Sequence, residues 1–296
     1  MFSFRDELYS QAFWFANGIA VAIALFLFAD VLGVLPRMGG SDSTGTGNGY
    51  GLIYIDKKAS SPGFTLVAPL RGNTVYLLDW YGKVFKSWRI PGLPSLEDMA
   101  QKNELATLGI LQAKLLKSGN LLVAHGKEFS LRPDRGSMPV LLELDWDGNV
   151  VWRYENEMMH HDFERLPAQA GLPDGRTAVI VYERISEELA SRVKVGIPGS
   201  GKSTGMYSDA IIEIDEQGKV VWRWALCERL DPELPENIVP SWSGRNVWTS
   251  LNSIEYLADN PITKKPAYLI GVHRFSAMML VERDSGNIIW RGGGTK

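Results

Sequence analysis

One cassette recurs four times and restricts the fold more than anything else in the sequence. Its clearest copy is Leu141-Leu-Glu-Leu-Asp-Trp-Asp-Gly-Asn-Val-Val-Trp-Arg-Tyr154. Alternating apolar residues reach an aspartate, a two-residue step leads to Gly148, and a β-branched pair ends on Trp152. The pattern predicts a tight hairpin, with period-two strands on either side of a turn whose glycine takes the positive φ that other residues adopt only under strain. The related copies run from Val75 to Trp88, Ile211 to Trp224 and Met279 to Arg291. Their turn glycines, Gly82, Gly148, Gly218 and Gly286, follow one another at steps of 66, 70 and 68 residues. A near-constant period filled with strands is the mark of a repeat architecture.

A second element lies between the hairpins and supplies two further strands to each unit. In the first interval it is Gln112 to His125, turning at Ser118-Gly-Asn120; in the second, His160 to Leu166 and then Asp174 to Tyr182; in the third, Leu251 to Leu257 and then Ala267 to Val272. Two hairpins per period make four strands, the composition of a propeller blade. Such blades take roughly 40 to 50 residues; the excess here sits in segments such as Glu187 to Ser208 and Cys227 to Val247. The expected fold class is all-β, a β-propeller of about four blades, part of a six-bladed ring. Further strands are expected at Leu52 to Ile55 and Phe64 to Ala68, with a short helix or long loop over Pro91 to Leu108.

The N-terminal segment carries a different signal. Residues Ala12 to Leu35 are apolar except for Asn17 and Asp30. At 1.5 Å per residue a helix of this length crosses roughly 30 Å of hydrocarbon. Phe2, Phe4, Tyr9, Phe13, Trp14 and Phe15 gather at its start, where aromatic rings favour the membrane boundary. The expected organisation is an anchor over 1–38 with a transmembrane helix at about 12–35, a Gly/Ser/Thr linker over 39–49, and the propeller over 50–296. The apolar run is long and no small-x-small cleavage site follows it cleanly, so an uncleaved signal-anchor is preferred to a signal peptide. Flanking charges give almost no vote on orientation.

Composition limits the partners. A net charge of −3, with no Lys/Arg-rich run, offers no field for nucleic acid. The single cysteine, Cys227, excludes a disulfide scaffold. The stretch Gly196-Ile-Pro-Gly-Ser-Gly-Lys-Ser203 satisfies a phosphate-loop pattern, but a strand is expected from Ala210 where the motif needs a helix, so a surface loop is predicted and no nucleotide is expected.

Taken together, Leu144-Asp-Trp-Asp-Gly-Asn-Val-Val-Trp152, His160-His-Asp-Phe, Tyr207-Ser-Asp-Ala-Ile-Ile-Glu-Ile-Asp215, Trp248-Thr-Ser-Leu-Asn-Ser-Ile254, Phe275-Ser-Ala277 and Asp284-Ser-Gly-Asn-Ile-Ile-Trp290 resemble the bacterial arylsulfotransferase family, from about Phe64 to Gly294. The resemblance implies an exported six-bladed propeller that moves a sulfuryl group between phenols through a histidine nucleophile, with histidine and arginine residues around the sulfate. It therefore implies a propeller on the periplasmic side of the inner membrane, held by a single helix. It also points to His160, His161, Asn252, His273 and Arg274 as substrate-binding residues. The pattern departs from the family at Ser250, where the family has histidine, and at His273, where it has arginine, with Arg274 one place off. The family's nucleophile falls in a later blade, beyond Lys296, so no catalytic residue is assigned.

Ordinary strand geometry qualifies these candidates. Adjacent histidines on a strand face opposite ways, which would leave only one of His160 and His161 on a shared site. By the same alternation Arg274 would turn away from that site. His125 and His273 fit structural roles at strand ends, and Trp152, Trp222 and Trp290 fit packing between blades. No metal or cofactor is expected. The resulting expectation is a non-catalytic binding or scaffolding subunit of a membrane complex, with protein partners and a phenolic sulfate as ligand. Aryl sulfuryl transfer through a histidine intermediate is the alternative.

Overall fold

A computed structural model of the protein describes residue 56 and residues 58–70, 72–95, 108–127, 139–168, 175–197, 199–200 and 205–294. The expected transmembrane helix, the linker and the strand Leu52 to Ile55 lie outside them. Among the described residues no helix is long and apolar enough to cross a membrane.

The chain divides into two compact units, Met1–Leu70 with Val75–Ser87, and Arg71–Thr74 with Trp88–Lys296. The first unit holds most of a three-stranded sheet, in which β1 (Thr65–Val67), β2 (Thr74–Leu78) and β3 (Val84–Arg89) are neighbours in chain order.

Three four-stranded sheets make up the described part of the second unit. The first contains β4 (Leu108–Leu115), β5 (Leu121–Lys127), β6 (Val140–Leu144) and β7 (Val150–Glu155). The next contains β8 (Met159–Arg165), β9 (Thr177–Arg184), β10 (Tyr207–Ile214) and β11 (Val220–Ala225), and the last β12 (Leu251–Leu257), β13 (Ala267–Val272), β14 (Ala277–Glu282) and β15 (Ile288–Gly293). Each is an antiparallel meander of consecutive strands. The protein is thus mostly β, with four sheets where four repeat units were read, although the described residues do not amount to a closed propeller.

The recurring hairpin has a local cause. In three copies the aspartate caps its own turn: Asp79 Oδ1 accepts from the Tyr81 and Lys83 amides, Asp145 Oδ1 from Asn149, and Asp215 Oδ1 from Gln217 and Lys219. The amide of the glycine three places on bonds back to the aspartate carbonyl, with φ of 77° at Gly82, 91° at Gly148 and 77° at Gly218. This is a type I turn closed by a left-handed glycine. The fourth copy is one residue longer: the Gly286 amide reaches Glu282, four places back. Asp284 of that copy forms no such cap; its carboxylate pairs with Arg283 instead.

Strand alternation then stacks the sheets. On β9, Ala178 and Ile180 pack with Ile254, Tyr268 and Ile270 of the last sheet, while Val179 and Val181 pack with Leu122, Ala124 and Leu141 of the first. A sheet covered on both faces needs middle strands apolar on both sides, as Ala-Val-Ile-Val in β9 and Ala-Ile-Ile in β10 are. The fourth strands are the exposed ones, leaving Val150, Val151, Val220 and Val221 at the surface. Indole groups tie each sheet to the following one: Trp152 Nε1 donates to Glu216 O at 2.8 Å and Trp224 Nε1 to Gly286 O at 2.8 Å. Trp88, which groups with the larger unit, donates likewise to Asp145 O at 3.2 Å. Trp222 lies 5.6 Å from the Tyr268 ring of the last sheet.

The first strands of these sheets, β4, β8 and β12, are neighbours and are stapled by Asp162. Its Oδ2 accepts the Ile254 amide of β12 at 3.0 Å, and its Oδ1 lies 3.2 Å from Lys114 Nζ of β4. This fixes β8, and with it His160 and His161.

Candidate functional site

Five segments converge beside the start of β8. Between Met159 and Phe163 the register of β8 against β9 shifts, and His161 sits in the bulge at φ 54°. The left-handed residue breaks strand alternation, so the two histidines meet instead of diverging: their Nδ1 atoms are 2.7 Å apart and their rings stand at 86°. The expectation that only one of them faces a shared site is thereby overturned.

His160 stacks on Tyr182 of β9, with centroids 3.7 Å apart and planes 13° from parallel. Tyr182 is opposite Asp209 of β10 in the ladder. Asp209 is fully buried, and its Oδ1 lies 3.1 Å from His160 Nε2. That pair is close enough to interact electrostatically but outside hydrogen-bond geometry, so His160 Nε2, Asp209 Oδ1 and the Tyr182 hydroxyl are buried polar atoms without a hydrogen-bond partner. Unpaired polar atoms in a protein interior are uncommon.

Thr249, in the segment that precedes β12, locks the carboxylate. Its hydroxyl donates to Asp209 Oδ2 and accepts the Asp209 amide at 3.1 Å, and Ser208 Oγ completes the network at 3.1 Å. The chain reaches this place because Val247 bridges Tyr207 and the Trp248 amide bonds to Tyr207 O.

Arg274 enters from the 3-10 turn His273–Phe275 that follows β13. Because the segment is a turn, strand alternation does not apply to it. Arg274 is buried with Nη1 donating to Gly244 O, whereas His273 is exposed. The alternation argument that turned Arg274 away from the site therefore does not hold for it. Burial pulls its guanidinium down from the usual arginine value, opposed by Tyr182 and Asp209. Burial, and then Asp209, pushes the Tyr182 phenol upward, with Arg274 acting against them. For His161, burial and then the neighbouring His160 and His273 drive the imidazolium down to about 3, so the ring is neutral near pH 7. Ser250, at φ 58°, has its hydroxyl 3.4 Å from Asn252 Oδ1, and Asn252 is exposed.

The structure therefore gathers His160, His161 and Arg274 with Tyr182, Asp209 and Thr249, which sequence reasoning had not singled out. A signal was present: Asp209 is one of two carboxylates, with Glu213, in the buried middle strand Tyr207–Ile214, where a charge needs a reason. His273 and Asn252 lie at the exposed margin. His125 stands apart at β5, buried, with Nε2 unpaired. Burial, followed by the positive charge of Arg153, lowers its imidazolium to about 4.

The phosphate-loop pattern of Gly196 to Ser203 is followed by a strand and not by a helix. The Gly196 and Ile197 amides bond to Val239 O and Ser243 O, and strand β10 follows at Tyr207. Among the described residues no group of three His, Cys, Asp or Glu side chains is placed to hold a metal ion.

Residues 159–296 match the sequence profile of the arylsulfotransferase (ASST) family. Over these residues the chain is arylsulfotransferase-like. The match begins at β8 and takes in every residue of the cluster just described. No curated protein matches the chain. Among solved structures, the C-terminal domain of Bacillus megaterium YpeB matches at 7% identity and a TM-score of 0.14, covering 68% of this chain and 96% of that one. A superposition that poor carries no argument about fold.

Proposed function

We propose that this protein is a membrane-anchored, extracytoplasmic propeller of arylsulfotransferase type whose histidine–arginine cluster binds a phenolic sulfate or a related aryl oxyanion, acting as a binding or scaffolding subunit of a membrane complex. The observation that carries this reading is the convergence of the buried Tyr182 hydroxyl, which has no hydrogen-bond partner, with the close His160–Asp209 pair beside the buried Arg274. A polar atom held unpaired at the end of a rigid sheet is poised for a group brought by a ligand. Support for the propeller comes from successive four-stranded meanders, and support for the anchor from the apolar run Ala12 to Leu35. Ser250 at the family's histidine position favours binding over turnover.

Sulfuryl transfer is the second reading, favoured by the neutral His161 ring. An imidazole nitrogen can attack sulfur only when unprotonated, and neighbouring cationic donors would stabilise the sulfuryl oxygens in flight. Titration calorimetry of the full chain with p-nitrophenyl sulfate is expected to show binding that Arg274→Met weakens by about tenfold or more. Absence of any binding by the folded protein refutes the proposal. Robust transfer from p-nitrophenyl sulfate to phenol, abolished by His161→Ala, would replace the scaffolding reading with the catalytic one.

A further inference from the structure

Segments 193–197 and 238–246 lie side by side and form a small lobe after the helix Glu187–Arg192. Val195 bridges Val239 in parallel, the Gly196 amide donates to Val239 O at 3.1 Å, and the Ile197 amide donates to Ser243 O at 2.8 Å. The Arg245 guanidinium donates to the carbonyls of Ala190, Val193 and Val195, so one side chain gathers both segments. Val193 and Val239 join the core of the larger unit.

The outward side chains of the lobe are harder to explain by folding. Val195 is 44% exposed, Ile197 45% and Trp242 69%. Single exposed apolar residues are ordinary, but three on adjoining segments of one lobe make a patch. Val195 also sits at φ 65°, a left-handed backbone that a β-branched residue adopts only under strain. Glycine would fill that position without strain and without placing an isopropyl group in water. Two penalties thus fall on Val195, and contact outside the chain would relieve the second.

Two features of the chain select the occupant. The lobe segments hold Lys194 and Arg245 and no carboxylate. An apolar, basic surface with an indole at its most exposed point suits the headgroup region of a bilayer. The apolar run, moreover, ends at Leu35, and the first described residue is Asp56. A Gly/Ser/Thr tract with the length and composition of residues 39–49 spans roughly 17–20 Å, so a body tied to a membrane by that run is held close to its surface. At the high local concentration that a short tether imposes, a patch of three apolar residues is enough for reversible docking.

We infer that this lobe is a membrane-docking surface: with the chain anchored, Val195, Ile197 and Trp242 enter the headgroup region of the bilayer and fix the orientation of the larger unit. The inference rests on the reading of Ala12 to Leu35 as an anchor. Because Gly244 O of the lobe accepts from Arg274, docking holds Arg274, and the cluster beside it, near the bilayer.

The test uses the full chain in mixed phosphatidylcholine and phosphatidylglycerol vesicles. An environment-sensitive NBD fluorophore is attached at Trp242→Cys in a Cys227→Ser background, or at Ile197→Cys should the first fail to fold. Its emission is expected to shift to the blue and to be quenched by lipid carrying a nitroxide near the headgroup, whereas the same label at Val151→Cys on β7 stays in water. Val195→Gly combined with Ile197→Ser is expected to weaken docking about tenfold, read as lost quenching at position 242. The melting temperature is not expected to fall, because glycine relieves the strained backbone. A chain that floats with the vesicles while the label at position 242 remains in water overturns the docking surface and leaves the anchor standing. A chain that does not float with the vesicles overturns both. Shielding of the label without nitroxide quenching assigns the patch to a protein partner or a second copy, and equal quenching at Val151→Cys assigns it to general adsorption; either result overturns the inference.

Discussion

Glu213 is the place where the packing of two sheets is most exposed to a single change. Its carboxylate is fully buried on β10 and accepts from Arg283 Nε at 2.5 Å and Nη2 at 2.8 Å, from the Tyr268 hydroxyl at 2.8 Å, and from Arg176 Nη1 at 3.3 Å. Arg283 follows β14 and Tyr268 lies on β13, so one carboxylate joins the second and third sheets of the larger unit. Glu213→Ala removes the only charge that these two guanidinium groups share at Glu213 and leaves the buried phenol hydroxyl without its acceptor. Breaking a buried ion pair from one side costs about 3–5 kcal/mol, most of it from the charge left behind. For a unit of this size that lowers the melting temperature by roughly 6–20 °C. Glu213→Gln keeps the shape and one acceptor, and is expected to lose about half as much. The assay is urea and thermal unfolding of both variants, together with Arg283→Met and the double mutant Glu213→Ala/Arg283→Met. The double mutant is expected to be more stable than the sum of the single losses predicts, because removing both partners removes the stranded charge. A Glu213→Ala loss under about 1 kcal/mol, or strictly additive losses, refutes the reasoning.

The remaining predictions concern acid stability, the indole ties and the turns. His125 titrates at about 4 when folded against 6.5 when unfolded, so its contribution is complete above pH 6.5 and is lost as pH falls from 6.5 to 4. The loss is about 2–3 kcal/mol, and urea titrations at pH 7, 5 and 4 should show it shrinking in His125→Gln. Trp224→Phe removes the hydrogen bond to Gly286 O from a buried position and should cost about 1–3 kcal/mol by chemical denaturation. Gly148→Ala meets no atom within 4 Å and should cost about 1 kcal/mol from its backbone conformation alone. Gly218→Ala also brings a Cβ to 3.2 Å from the Tyr154 ring and should melt lower than Gly148→Ala.

Much of the architecture could be read because it repeats. Asp79, Asp145 and Asp215 each complete a turn within five residues, and a local device of that kind leaves a local trace. The meander strands follow from the same alternation. The site was legible only in part. His160 and His161 stood out by type, but their meeting depends on a left-handed bulge at a histidine, a conformation that side-chain identity does not announce. Arg274 was misjudged because a 3-10 turn occupies what alternation read as strand. Tyr182 and Asp209 are ladder partners on β9 and β10, but Thr249 comes from a distant segment and joins them only through tertiary contact.

The three indole donors that link successive sheets reach in one direction along the chain. Trp88 bonds to a turn at Asp145, Trp152 to one at Glu216 and Trp224 to one at Gly286, each of them 57 to 64 residues later. A sheet leaving the ribosome therefore carries an incomplete edge until its successor has been synthesised. Maturation of the second unit is expected to proceed vectorially from the N-terminal side, so a nascent chain arrested just past Trp224 should remain protease-sensitive at β11 until synthesis passes Gly286.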